Sequence, residues 1–218
     1  MKKYVLISSL LLCLLGVFTY LISPVKELEK TKYKGTTLQS LLKGAQGKNS
    51  VVQRSQSEFQ INYQFSEKLL NEFIKYQIQL ADQGIEEIEL ELKPNLITLH
   101  VNKKLGFLKT QYIIELKPKV SNGVLSLQVI DSKMGRLPLP SSLILSRINL
   151  GDIPSVEIVG DQIVLFKTLP KAMQFQDVEI SDKNLKVVMN IKITSITDLM
   201  EIGAFMIPYG INLIEKFG

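Results

Sequence analysis

The sequence predicts an α+β protein in which a curved antiparallel β-meander of about six to eight strands packs on an amphipathic helix, behind one N-terminal transmembrane helix. Three observations predict it: an uncharged apolar run at the N-terminus, one stretch whose apolar residues recur at three- and four-residue spacing, and a long region after Gly84 in which apolar and polar residues alternate. With 218 residues, 45% of them hydrophobic and 22% charged, the chain has the material for a sizeable core.

The apolar run, Tyr4 to Ser23 (YVLISSLLLCLLGVFTYLIS), carries no charge. As a helix it is about 30 Å long, the thickness of a hydrocarbon core. Lys2 and Lys3 precede it and belong on the cytoplasmic side, so the rest of the chain is expected to be extracellular. Tyr4 and Tyr20 sit near its ends, where amphipathic rings favour the interface. A cleaved signal peptide would need a small-residue cleavage site, which is not evident. A lipoprotein signal would need a small-residue box before the thiol, whereas Leu11 and Leu12 precede Cys13. The reading is therefore an anchor over 1–23, a membrane-proximal stalk over 24–57 and an extracellular α+β domain over 58–218, in a single-pass protein of the cell membrane. The stalk is read from its Lys, Gly, Ser, Thr and Gln content, and the bases between Lys26 and Lys34 are offset by Glu27 and Glu29.

Leu69, Leu70, Phe73, Ile74 and Ile78 form a helical stripe behind Ser66, a good N-cap, which predicts a helix over 66–81. The period then changes to two. Ile88, Leu90 and Leu92 alternate with Glu87, Glu89 and Glu91, which are expected to face water. Pro94-Asn95 leads into Leu96 to Asn102, with Ile97, Leu99 and Val101 on one face. Residues 109–120 and 124–131 flank Ser121-Asn122-Gly123, and Asn-Gly is the characteristic pair of a type I′ hairpin. Gly160-Asp161 has the same part between residues 156–158 and 163–166, and a last strand is read over 185–193. Such strands have one oily face and predict a sheet covered on one side only.

The segment Met134 to Leu145 (MGRLPLPSSLIL) breaks the pattern with two prolines, and a short helix is expected from Pro140-Ser141-Ser142. It either seals the core or forms the mouth of an apolar site. From Ser195 to Phe217 the chain is apolar nearly all round behind a Ser195/Asp198 capping box, and docking of this helix on the domain is favoured over the membrane interface.

Catalytic chemistry has few carriers. There is one histidine, His100, on the polar face of a predicted strand, and the one thiol, Cys13, lies in the anchor. The carboxylates of Glu87, Glu89 and Glu91 share a face, which more often marks solvent than an acid/base pair or a calcium site. No phosphate-binding loop, dinucleotide fingerprint or cofactor motif is present, so the chain reads as a non-enzyme with no cofactor and no metal. The net charge of +5 includes Lys2 and Lys3, and no Lys/Arg cluster marks a nucleic-acid partner.

Three short motifs carry a family resemblance: Phe65-Ser66-Glu67-Lys68-Leu69-Leu70-Asn71, Val120-Ser121-Asn122-Gly123-Val124 and Gly135-Arg136-Leu137-Pro138-Leu139-Pro140. With these the chain resembles the YpmS-like proteins of Gram-positive bacteria, which pair an N-terminal anchor with an extracellular domain of unknown function. The order of helix and long strands is also similar to tubular lipid-binding folds, at the level of fold alone. The functional expectation is a non-catalytic binding module for a lipid or lipid-linked envelope molecule, in a groove lined by Leu69, Phe73, Leu99, Tyr112, Leu127, Leu137 and Leu139. The alternative is a structural or interaction domain that assembles an envelope protein complex.

Overall fold

A computed structural model describes residues 2–28, 50–55, 57–81, 85–146, 156–166 and 168–206. In chain order these form α1 (Lys2–Ile22), β1 (Ser50–Gln53), β2 (Glu58–Ser66), α2 (Glu67–Ala81), β3 (Ile85–Lys93), β4 (Leu96–Leu105), β5 (Leu108–Ser121), β6 (Val124–Met134), β7 (Leu137–Pro138), α3 (Ser141–Leu145), β8 (Val156–Val159), β9 (Gln162–Leu165), β10 (Met173–Ser181), β11 (Asn184–Lys192) and α4 (Ile196–Met206). The protein is α+β with antiparallel strands in open sheets and few helices.

The strands form two sheets and exceed the six to eight expected. One has the order β1-β2-β11-β10; the other has the order β3-β4-β5-β6-β9-β8, with β7 added on β6. The single meander is corrected because β2, in which Phe59, Ile61, Tyr63 and Phe65 alternate with polar residues, crosses the chain to pair with β11 from Ser66↔Asn184 to Glu58↔Lys192.

Within the larger sheet the local signals hold. The β5–β6 turn has positive φ at Asn122 (51°) and Gly123 (77°), as a type I′ turn requires. Asn95 (61°) turns β3 into β4, and Gly160 (63°) turns β8 into β9. Asp182 (50°) and Lys183 (58°) make the β10–β11 turn without a glycine.

Each sheet buries one cluster. Ile61, Phe175, Val187, Met189 and Ile191 of the smaller sheet pack with Leu125 of β6 and Ile202 of α4. Leu90, Leu92, Ile97, Ile114, Leu116 and Val129 of the larger sheet pack with Ile144 and Leu145 of α3 and Ile180 of β10. Leu165 and Leu185 touch both clusters, so the sheets share one interior.

α2 begins where β2 ends: Ser66 Oγ accepts from the Leu69 amide at 3.3 Å, as its N-cap position predicts. α4 carries the expected reciprocal capping box, with the Ser195 amide donating to Asp198 Oδ2 (2.8 Å) and the Asp198 amide to Ser195 Oγ (3.1 Å). Ile202 on its inner face is 1% exposed. The rest of the expected C-terminal helix, 207–218, lies outside the described residues.

Two boundaries shift. The segment expected to open a stalk at residue 24 instead lies on the larger sheet with Leu28 buried, and β1 pairs with β2 inside the smaller sheet. Residues 29–49 of the expected stalk lie outside the described residues. The β3–β5 part of the larger sheet is therefore covered on both faces. Thr98, His100 and Asn102, whose alternation reads as a wet face, are all buried. The sequence pattern misleads here because residues 24–28 lie over this face and bond to Gln111 and Glu89, a contact between parts of the chain that no local alternation records.

Candidate functional site

The most elaborate polar construction among the described residues is a socket for the end of α1. A helix leaves its last carbonyls without intrahelical donors. Here the larger sheet supplies them: Arg136 Nη1 donates to Tyr20 O (2.9 Å), the Arg136 amide to Leu21 O (2.7 Å) and Thr110 Oγ1 to Ile22 O (2.7 Å). Arg136 Nη1 also donates to Ser23 Oγ at 3.0 Å, and its guanidinium lies 4.4 Å from the centroid of the Tyr20 ring. A cation at a helix C-terminus is favoured by the helix dipole, and stacking on an aromatic face adds to it.

Gly135 makes this approach feasible. Its φ is +59°, and a Cβ there would meet Leu21 O at 2.4 Å and the Ile22 carbonyl carbon at 2.6 Å. The Gly135 amide in turn donates to Gln111 O at 2.7 Å, which ties the turn after β6 to β5.

Gln111 then grips the chain beyond the helix. It is 0% exposed, so each polar valence needs a partner. Its Oε1 accepts from the amides of Val25 (3.2 Å) and Lys26 (3.1 Å), and its Nε2 donates to Lys26 O (2.8 Å) and Asn102 Oδ1 (2.9 Å). Asn102 passes the contact to Glu87 Oε2 at 2.6 Å. Lys26 Nζ reaches Glu89 Oε1 at 2.7 Å, and this bond holds the ammonium pKa above its usual value. Glu87 and Glu89 thus serve the socket, and among the described residues no group of three His, Cys, Asp or Glu side chains could hold a metal.

His100 lies beside this network, 8% exposed, with Nε2 3.7 Å from Glu91 Oε2 and no hydrogen bond at either ring nitrogen. Burial pushes its pKa down first, and the Lys26 charge adds to that against the opposing pull of Glu91 and Glu89. Thr98 Oγ1, on the same strand face, is also buried without a partner.

A second polar device closes the free edge of β3. Asn71 Nδ2 donates to Leu90 O and Asn71 Oδ1 accepts from the Leu90 amide, both at 2.7 Å, while Glu67 Oε2 accepts from the Leu92 amide at 2.8 Å. The side chains of α2 stand in for a neighbouring strand and blunt an edge that would otherwise pair with another chain.

The seven residues expected to line a groove divide. Leu99, Tyr112, Leu127 and Leu139 each pack, half-buried, against the core of the larger sheet, as do Leu70 and Ile74 of α2. Leu69 and Phe73 do not join: the sheet-facing stripe of α2 is set one residue on, at 70 and 74, because Glu67 and Asn71 must face β3. Phe73 is 38% exposed. Leu137 lies apart, in β7, where it pairs with Met134. The Leu-Pro segment does seal the core through Leu139, Ile144 and Leu145, and its Gly135-Arg136 start holds α1, a role the sequence reading missed. The available signal was the polar Thr110-Gln111 pair at a strand position with an apolar period.

Counting only residues with described side chains, which in α1 begin at Ser8, no helix is long and apolar enough to cross a membrane. Comparison of the chain with family models, with curated proteins and with solved structures finds no match in any of the three.

Proposed function

We propose that this protein is a membrane-anchored, extracytoplasmic and non-catalytic binding module that holds a lipid or lipid-linked envelope molecule beside the bilayer. The backbone of α1 runs from Lys2 to Ile22, and the run from Tyr4 to Ser23 has the length and apolarity of a bilayer span. The observation that carries the reading is the socket. Thr110, Gln111 and Arg136 clamp residues 20–26, so the sheet is mounted on the helix end without a slack linker at that point. A mounted domain holds any binding surface at a set height above the lipid, and half-exposed Leu69 and exposed Phe73 on α2 offer apolar area for an acyl chain. The resemblance to YpmS-like proteins agrees with an anchored extracellular domain and names no ligand.

The second reading, an interaction domain in an envelope assembly, is favoured by one observation: Leu99, Tyr112, Leu127 and Leu139 pack against the core. The experiment that separates the two is native mass spectrometry of the full chain released from detergent. A copurifying lipid that is lost on Phe73→Asp supports the module. A lipid-free chain that cross-links to a neighbouring envelope protein supports the second reading and overturns the first.

A further inference from the structure

The turn between β4 and β5 carries Phe107, which is 92% exposed, and Leu105, which is 43% exposed. Gly106 between them adopts φ +63° and lets the turn close tightly. An aromatic ring left wholly in water at the tip of a hairpin contributes nothing to the core. Lysines ring it: Lys103, Lys104 and Lys109, of which Lys104 (2.7 Å) and Lys109 (3.7 Å) both face the carboxylate of Glu86. The tip therefore has apolar side chains at its apex and a net positive collar behind them.

The socket places this tip close to the end of α1. Ile22 O meets Thr110, the amides of Val25 and Lys26 meet Gln111, and Lys26 Nζ meets Glu89, which is opposite His100, itself opposite Ile113 of β5. The backbone from Ile22 to Lys26 thus lies beside Thr110 and Gln111, and the Lys26 side chain reaches on towards the level of residue 113. The end of α1 is therefore fixed at the end of β5 that leads into the turn. Phe107 is three residues from Thr110, about 10 Å at strand rise.

We propose that the β4–β5 turn is a second membrane contact: Leu105 and Phe107 insert into the interface of the bilayer that α1 spans, with the lysine collar at the phosphate level. The inference rests on the reading of α1 as a membrane anchor. Phenylalanine and leucine backed by lysines match an anionic lipid surface, in which the apolar side chains leave water and the ammonium groups stay at the head groups. Two contacts, the helix and the turn, hold the domain against tilting, which one helix alone does not.

The test uses the full chain with Cys13→Ser and a polarity-sensitive fluorophore on Leu105→Cys, reconstituted into vesicles of phosphatidylcholine with phosphatidylglycerol. A second labelled site, Val159→Cys at the β8–β9 turn, serves as the reference. The expected result is a blue-shifted emission at position 105, quenched by nitroxide-labelled lipid, and an unshifted emission at 159. Phe107→Asp should abolish the shift, and since that ring is exposed the variant should melt as the parent does. Lys103→Gln should weaken insertion in anionic vesicles by roughly fivefold and leave it unchanged in phosphatidylcholine alone. Flotation of the vesicles after alkaline extraction reports the anchor separately. A chain that floats while position 105 stays as wet as 159 overturns the second contact and leaves the anchor standing. A chain that does not float overturns both.

Discussion

Gly135→Ala tests the socket at its tightest point. At φ +59° an alanine costs about 1 kcal/mol against glycine. The added Cβ would lie 2.4 Å from Leu21 O, so the end of α1 must retreat by roughly 0.9 Å to reach an ordinary carbon–oxygen separation. That retreat acts directly on two bonds of 2.7 Å, from the Arg136 amide to Leu21 O and from Thr110 Oγ1 to Ile22 O. At about 1 kcal/mol for each bond, the docked state loses about 3 kcal/mol with the backbone strain included, a shift of roughly two orders of magnitude in the docking equilibrium. Gly160→Ala isolates the strain, because Gly160 has φ +63° and nothing within 4 Å of its Cβ position. Hydrogen exchange of the full chain in detergent reads the outcome. The amides of Val25, Lys26 and Arg136 should exchange about a hundredfold faster in Gly135→Ala, while Gly160→Ala leaves them at the parent rate. Equal protection of these amides in the parent and in Gly135→Ala would refute the clamp.

Three further outcomes follow from the same geometry. Arg136→Lys should fail to restore the socket, because an ammonium has no planar face to stack on the Tyr20 ring and its flexible stem is not held in place by that stacking as the guanidinium is; exchange at residues 20–26 should match that of Arg136→Ala. Asn71→Ala leaves the Leu90 amide and carbonyl without partners, so it should lower the unfolding free energy by about 2 kcal/mol and raise light scattering by strand-edge pairing, whereas Asn71→Asp keeps only the bond from the Leu90 amide and should fall between. His100 is buried with its pKa lowered, so the folded state binds fewer protons than the unfolded chain below the usual histidine value. Stability should therefore be level above about pH 6.5 and fall as the pH drops below it, until the imidazole of the folded state is protonated as well. Glu86, Asp131 and Asp198, whose pKa values are held down by their partners, add losses only at lower pH, as they protonate. Denaturant midpoints between about pH 6.5 and 5 should be flatter in His100→Gln; a slope equal to the parent's would show that His100 is not the group.

Much of the larger sheet was legible because its information is local. Leu90 and Leu92 alternate with glutamates, and Asn122-Gly123 specifies its own turn. The capping of α2 by Ser66 and of α4 by Ser195 and Asp198 is likewise written within a few residues. β2 was legible in Phe59, Ile61, Tyr63 and Phe65, but lay at the border of an expected linker and went unread. The site was less legible. That Gly135 and Arg136 hold the end of α1 depends on residues more than a hundred positions earlier in the chain, and no local pattern records that.

By itself the sequence determined most strands of the larger sheet, β11 and the capped starts of α2 and α4, because periodicity, caps and positive-φ turns act over a few residues. The tertiary structure alone decided that β2 joins β11 in a second sheet, that α2 turns Asn71 rather than Phe73 towards β3, and that the polar face of β4 is buried. The physical reason is the same in each case. What meets an open strand edge or lies over a polar face is decided by the fold and not by near neighbours in the chain, as where Gln111 meets the backbone of Lys26, while the Thr98 hydroxyl and the His100 ring are covered without a hydrogen bond.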